Sequence, residues 1–223
     1  MISLQSIEDA QQRIKEVVVN TPFSYAPHLS QIVEMQVFLK KENLQNTGAF
    51  KLRGAYNKIA TLSEAERDSG VVAASAGNHA QGVAFSASRF GIKAVIIMPE
   101  STPLTKVNGV KHYGAEVILR GANYDEAYAY ALEYGKENQL TFVHPFEDVE
   151  VMAGQGTVAL EILESANDLD AVIIPVGGGG LIAGMASAIK AKNPNIEVIG
   201  VSASGAPAFK NSFDLKKPID SVS

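Results

Sequence analysis

Asn46-Thr47-Gly48-Ala49-Phe50-Lys51-Leu52-Arg53-Gly54-Ala55 sets one lysine between a polar, turn-forming segment and the start of a helix-forming one. Two other segments share that logic. Ser75-Ala76-Gly77-Asn78-His79-Ala80-Gln81-Gly82 follows the apolar run Val71 to Ala74, and Gly177-Gly178-Gly179-Gly180-Leu181 follows the apolar run Ala171 to Val176. Each is a short strand, a turn and a helix start. Backbone N–H groups left free at a helix start suit an anion, and glycine lets the backbone approach it closely. A lone lysine is ordinarily a solvated surface charge. A lysine accompanied by two such helix starts is a candidate reactive amine with binding places for a carboxylate and a phosphate.

Working outward, the apolar runs alternate with helical periodicity. Strands are expected at Val37–Leu39, Val71–Ser75, Ala94–Met98, Glu116–Leu119, Leu140–Val143, Ala171–Val176 and Glu197–Ser202. Helices are expected from Lys51 to about Leu62, Asn78 to Phe90, from Pro103, Tyr124 to Lys136, Val151 to Glu164 and Leu181 to Ala191. Ser6-Ile7-Glu8-Asp9 and Ser63-Glu64-Ala65-Glu66 read as capping boxes opening further helices. The strands are short apolar runs without strict alternation, the pattern of a parallel sheet covered on both faces. This is an α/β chain.

Composition narrows the function. The 223 residues carry 46% apolar content and a net charge of −5, with a pI near 5.4. Such a balance without a basic run disfavours nucleic acid and anionic membrane as partners. There is no cysteine, hence no disulfide framework, thiolate metal site or cysteine nucleophile, which fits a cytoplasmic protein. The start, MISLQSIEDAQQ, has no basic-then-apolar leader pattern. The uncharged stretch Ala171 to Ile189 is interrupted by Pro175 and four glycines, which would break a lipid-exposed helix. His28, His79, His112 and His144 show no metal-type spacing, and no metal is expected. Glu147, Asp148 and Glu150 read as a solvated helix start.

The glycine run has two readings. Gly178-x-Gly180-x-x-Ala183 matches a dinucleotide fingerprint, but that fold wants a carboxylate at the end of the next strand. Here that strand runs into Val201-Ser202-Ala203-Ser204. A phosphate cradle for pyridoxal phosphate (PLP) fits better, because it also gives Lys51 a purpose.

On these three motifs the chain resembles, along almost its whole length, the threonine/serine dehydratases of the fold-type II PLP enzymes, which share the tryptophan synthase β fold. Lys51 occupies the lysine position of the family's T-G-S-F-K-x-R-G-A run, with Ala49 in place of the usual serine. The resemblance implies that Lys51 is the Schiff-base lysine and acts at the substrate Cα, and that Phe50 lies near the cofactor. It implies that Gly177, Gly178, Gly179, Gly180 and Leu181 hold the phosphate. Ser75, Ala76, Gly77, Asn78 and His79 would bind the substrate carboxylate, Asn78 also meeting the cofactor ring hydroxyl. Serine racemases of this family carry a second serine where Ala76 stands, as an acid/base on the face opposite the lysine. Alanine there favours elimination. The expected function is deamination of L-threonine, and of L-serine, with a place in isoleucine biosynthesis. The alternatives are another fold-type II lyase, β-replacing or racemase-like, and a catalytically silent cofactor-binding module. Arg53 is expected to brace the helix or a domain seam, and Lys40-Lys41-Glu42 to frame the site.

The resemblance also implies two parallel-sheet α/β domains. The smaller spans 50–140. The larger is built from 1–49 and 141–223 and is expected to be incomplete, since family members continue past Ser223. The partners expected are a small amino-acid substrate and further copies of the same chain in a homo-oligomer.

Overall fold

The computed structural model describes residues 2–217 and Ile219. Met1, Pro218 and residues 220–223, where the expectation of a continuing chain was placed, lie outside them. In chain order the elements are α1 (Leu4–Ile14), β1 (Phe23–Tyr25), α2 (Pro27–Val33), β2 (Phe38–Lys40), a 3-10 turn (Glu42–Leu44), α3 (Lys51–Ala60) and α4 (Glu64–Ser69). There follow β3 (Val71–Ala74), α5 (Asn78–Phe90), β4 (Ala94–Met98), α6 (Leu104–Lys111), β5 (Glu116–Leu119), α7 (Tyr124–Glu137) and β6 (Thr141–Phe142). The last are α8 (Val149–Ser165), β7 (Ala171–Pro175), α9 (Gly180–Lys192), β8 (Glu197–Val201) and α10 (Ala208–Leu215).

Four parallel strands form one sheet in the order β5-β4-β3-β6, with Val72 opposite Val95 and Phe142. Alternate side chains leave it on opposite faces. Val71, Ala73, Ile96 and Met98 pack with Ala55 and Ile59 of α3, Val83 and Ala84 of α5 and Val107 and Val110 of α6. Val72, Ala74, Val95 and Ile97 pack with Ala127 and Ala131 of α7. The chain leaves β3 for β4 and β5, then returns to the other edge of β3 as β6. That reversal opens a crevice at the C-terminal ends of β3 and β6, the usual ligand position in an open α/β sheet. β6 lies just past residue 140, so this sheet reaches Phe142.

A second layer joins α1, α8 and α9 to the two-stranded parallel sheet β7-β8 through Ile7, Leu160, Ile162, Ile174, Met185 and Ile189. Here the sequence expectation of strands covered on both faces fails. β7 alternates exposed and buried, with Ile173 69% exposed, and Val201 of β8 is 53% exposed. Among the described residues nothing packs on that face. The first capping box also lies elsewhere. Ser3, not Ser6, is the N-cap of α1, and Ser3 and Ser6 exchange hydrogen bonds because Ser6 sits at the third helical position. The Ser63–Glu66 box forms as expected.

α3 and α8 meet where side chains are missing. A β-carbon on Gly154 would lie 2.5 Å from the Arg53 carbonyl and 2.7 Å from Gly54 Cα. This close crossing sets a buried ionic cluster behind Lys51. Arg53 is fully buried. Its guanidinium donates to both oxygens of Glu42 (Nε at 2.9 Å, Nη2 at 2.8 Å) and to both of Glu161 (Nη1 at 2.6 Å, Nη2 at 2.9 Å). Lys40 Nζ reaches Glu161 at 2.5 Å, and the Thr21 hydroxyl donates to Glu42 at 2.5 Å. Two cations face two anions. Burial works against the Arg53 charge, yet the two carboxylates hold its pKa above the ordinary arginine value. Lys40 and Glu42 thus lie within this cluster behind the lysine helix, while Lys58 pairs with Asp148 at 2.8 Å.

Replacing Arg53 with Met would leave two buried carboxylates facing one ammonium. The expected loss is about 3–5 kcal/mol of unfolding free energy, read as a lower urea midpoint. A loss below ~1 kcal/mol would show the cluster to be weakly coupled to folding.

Candidate active site

β3 ends at Ala74, and Ser75 to Gly77 turn the chain into α5. The Ser75 hydroxyl accepts the Gly77 N–H at 3.1 Å, so this side chain shapes the turn. Gly77 is the N-cap, and a β-carbon there would meet no atom within 4 Å. Asn78, the first helical residue, is exposed. The helix start and an open space before it are what a carboxylate needs.

His79 differs from the expectation in one respect: its side chain turns into the protein. It is 3% exposed, and Nε2 lies 2.9 Å from the Val143 carbonyl. A carbonyl only accepts, so Nε2 carries the proton and Nδ1 is the bare nitrogen, buried without a partner. Burial, opposed by the Val143 bond and reinforced by Lys51 and His144, pushes its pKa down to about 3. His79 is neutral and links the turn after β3 to the end of β6.

Lys51 opens α3 on the other side of the crevice. Its amine donates to the Pro145 carbonyl at 2.6 Å and lies 5.5 Å from the Phe50 ring centre. Phe50 itself leans on the second core. Burial lowers the Lys51 pKa to about 8, so an appreciable fraction of the amine is neutral near neutrality.

The glycine run follows β7. Among the described residues, the N–H groups from Gly177 to Ile182 donate to no other residue, and they lead into the thirteen-residue helix α9. Gly177 faces open space. Gly179 takes φ +88° as the N-cap of α9, a left-handed turn that suits glycine. Gly178 and Gly180 are small for another reason. A β-carbon on Gly178 would strike the Phe146 ring, and one on Gly180 would lie 2.9 Å from Phe146 Cα. Leu181 packs into the second core, leaving only its N–H for a ligand.

Sequence reasoning passed over Val143 to Phe146. This segment touches all three motifs: His79 at Val143, Lys51 at Pro145, Gly178 and Gly180 at Phe146. His144 Nδ1 accepts the N–H groups of Phe146 (3.2 Å) and Glu147 (2.7 Å), and burial lowers its pKa despite Glu147 and Asp148 nearby. The available signal was positional: the segment follows the strand beside β3. Asp148 caps α8 by accepting the N–H groups of Glu150 and Val151, so the acidic patch is a helix start.

An amine lowered to about 8 from 10.5 is protonated near pH 7 at a cost in the folded state. Between those values the unfolded chain binds more protons, so stability rises with pH. Lys51→Met is expected to stabilise the cofactor-free protein by about 1–2 kcal/mol near neutral pH, the gain fading toward pH ~10.5. Thermal melts across pH read this; a destabilised variant would contradict it.

The family described as pyridoxal-phosphate dependent enzyme matches residues 14–223. L-threonine ammonia-lyase of Thermotoga maritima is 53% identical over 209 residues, 94% of this chain and 52% of that protein. L-threonine dehydratase catabolic TdcB of Staphylococcus aureus is 51% identical over 214 residues, 96% of this chain and 62% of that protein. The chain thus spans between about half and three-fifths of the length of these relatives. The structure of maize serine racemase superimposes with a TM-score of 0.96 at 37% identity, covering 100% of this chain and 68% of that one. Parallel α/β sheets, a lysine at their switch point and these matches agree: the chain belongs to the pyridoxal-phosphate dependent enzymes of fold-type II, a family defined by that cofactor, and is similar within it to the threonine dehydratases.

Proposed function

We propose that this chain carries the catalytic lysine and the two anion sites of a PLP-dependent L-threonine ammonia-lyase. The observation that carries the reading is a desolvated Lys51 amine in the crevice beside a helix start that bears alanine, not serine, at 76. The residues fit the cofactor. Lys51 supplies an amine with an appreciable neutral fraction, the run Gly177 to Leu181 supplies free N–H groups at a helix start, and Gly177 leaves room where a side chain would intrude. Asn78, exposed at the head of α5, is available to a ring hydroxyl. When bound, PLP supplies an electron sink for charge developing at the substrate Cα.

The chain's own residues do the rest. The helix start after β3 binds the substrate carboxylate through the N–H groups of Ala76, Asn78 and His79, those of Ser75 and Gly77 being taken by the Ile97 carbonyl and the Ser75 hydroxyl. The open space at Gly77 admits it. His79, held neutral, adds no charge and fixes the turn against Val143. Lys51 takes the proton from Cα. With Ala76 no hydroxyl stands on the opposite face to return a proton to Cα, so the β-hydroxyl, protonated as it leaves, departs as water. The released enamine then takes up water and loses ammonia, giving 2-oxobutanoate from L-threonine and pyruvate from L-serine. The likeness to maize serine racemase favours racemisation as the second reading; Ala76 weighs against it.

The same proposal takes a smaller unit from residue 50 through β6 and a larger one from the remaining chain, supported by the separate apolar clusters around the two sheets. It takes the protein as cytoplasmic and homo-oligomeric; exposed Ile32 (63%) and Met35 (67%) offer apolar surface for association. A supply of 2-oxobutanoate to isoleucine synthesis competes with a catabolic role, the word in the S. aureus relative's name.

With PLP, the protein is expected to convert L-threonine to 2-oxobutanoate, and Lys51→Ala to lower that rate at least ~10³-fold. L-serine should give chiefly pyruvate, and Ala76→Ser should raise D-serine formation. D-serine as the main product of the unaltered protein, or undiminished turnover by Lys51→Ala, would overturn the reading.

A further inference from the structure

Five residues, 143–147, tie the site together. The His79 ring donates to the Val143 carbonyl, the Lys51 amine to the Pro145 carbonyl, and the N–H groups of Phe146 and Glu147 to His144 Nδ1. Pro145 has no N–H of its own, so its place depends on its neighbours. Its chain neighbour Phe146 is half-buried, with its ring on the glycine run. Its ring fills the space left by the missing side chain of Gly178 and stands edge-on to His144 at 4.7 Å between centres. Its backbone fills the space left by Gly180.

We propose that Phe146 is a positioning residue for Lys51: its ring, seated on the glycine run, fixes the 143–147 segment so that the Pro145 carbonyl holds the Lys51 amine in the crevice. The proposal rests on Lys51 being the cofactor-holding amine. It assigns Gly178 a second duty, to make room for Phe146, besides any contact with phosphate.

Electrostatics supports this geometry. Burial keeps the Lys51 amine near 8, and the Pro145 carbonyl 2.6 Å away lies against that amine. The titratable groups coupled to it are His79 of α5 and His144 of the segment itself, both held neutral by burial, with Glu147 and Asp148 acting on His144. Unseating Phe146 admits water to Lys51 and restores the charged form.

The test uses the cofactor-free protein. Competitive acetylation across pH, read by mass spectrometry on the peptide holding Lys51, gives the midpoint of its amine. Phe146→Ala is expected to move that midpoint up by at least about one pH unit, leaving about tenfold less neutral amine near pH 7. Gly178→Ala, which displaces the ring, should do the same, and the double variant should shift little more than the larger single change. Phe146→Leu should restore most of the original midpoint. Amide exchange in β3 and β4 verifies that each variant is folded; if Phe146→Ala fails there, Gly178→Ala and Phe146→Leu decide. A midpoint unmoved in folded variants, or shifts that simply add, would overturn the proposal. Cofactor found on a different lysine would instead remove the reading of Lys51, leaving the midpoint result intact.

Discussion

The double fork of Arg53 onto Glu42 and Glu161 is the interaction on which the site depends. Arg53 lies two residues beyond Lys51, inside the same helix and fully buried. A guanidinium with no water needs carboxylates on both sides, and a planar five-donor group is the side chain that can engage two at once. One carboxylate comes from the turn before α3 and the other from α8, so the charge requirement fixes where the lysine helix sits. The Gly54–Gly154 crossing brings α3 and α8 close enough for those bonds. Lys40 balances the second carboxylate and makes the cluster neutral overall.

With α3 fixed, the sheet order does the remaining work. The chain reverses direction across the sheet between β3 and β6, and the loops that leave those two strands therefore diverge around one crevice. One loop carries Ser75 to Asn78, the other carries Pro145 and Phe146. Lys51 enters from α3 and the glycine run enters from α9. Three motifs up to 130 residues apart in sequence thus meet at a five-residue segment that bears no motif itself.

Much of this was legible in the sequence, for identifiable reasons. β3 and β4 are buried on both faces and read as continuous apolar runs. The Ser63–Glu66 box marks a helix start through local backbone chemistry. What escaped detection depends on tertiary contact. β1 and α2 are three and seven residues long, too short for periodicity to register. Arg53 was expected as a brace and Glu42 as part of the site's frame, but their pairing, and the part of Glu161 in it, show only when α3 crosses α8. That Gly178 and Gly180 also make room for Phe146, more than thirty residues earlier, is a tertiary contact the sequence cannot show. His79 stands in the expected carboxylate turn by sequence, but the inward turn of its ring to Val143 shows only in the fold.

The central claim is that Lys51 is the amine on which this fold holds its cofactor. Borohydride reduction of the PLP-loaded protein followed by peptide mapping tests it most directly. The expected result is a stable phosphopyridoxyl group on the peptide containing Lys51, in a single equivalent. A label on any other lysine, with Lys51 recovered free, would contradict the account.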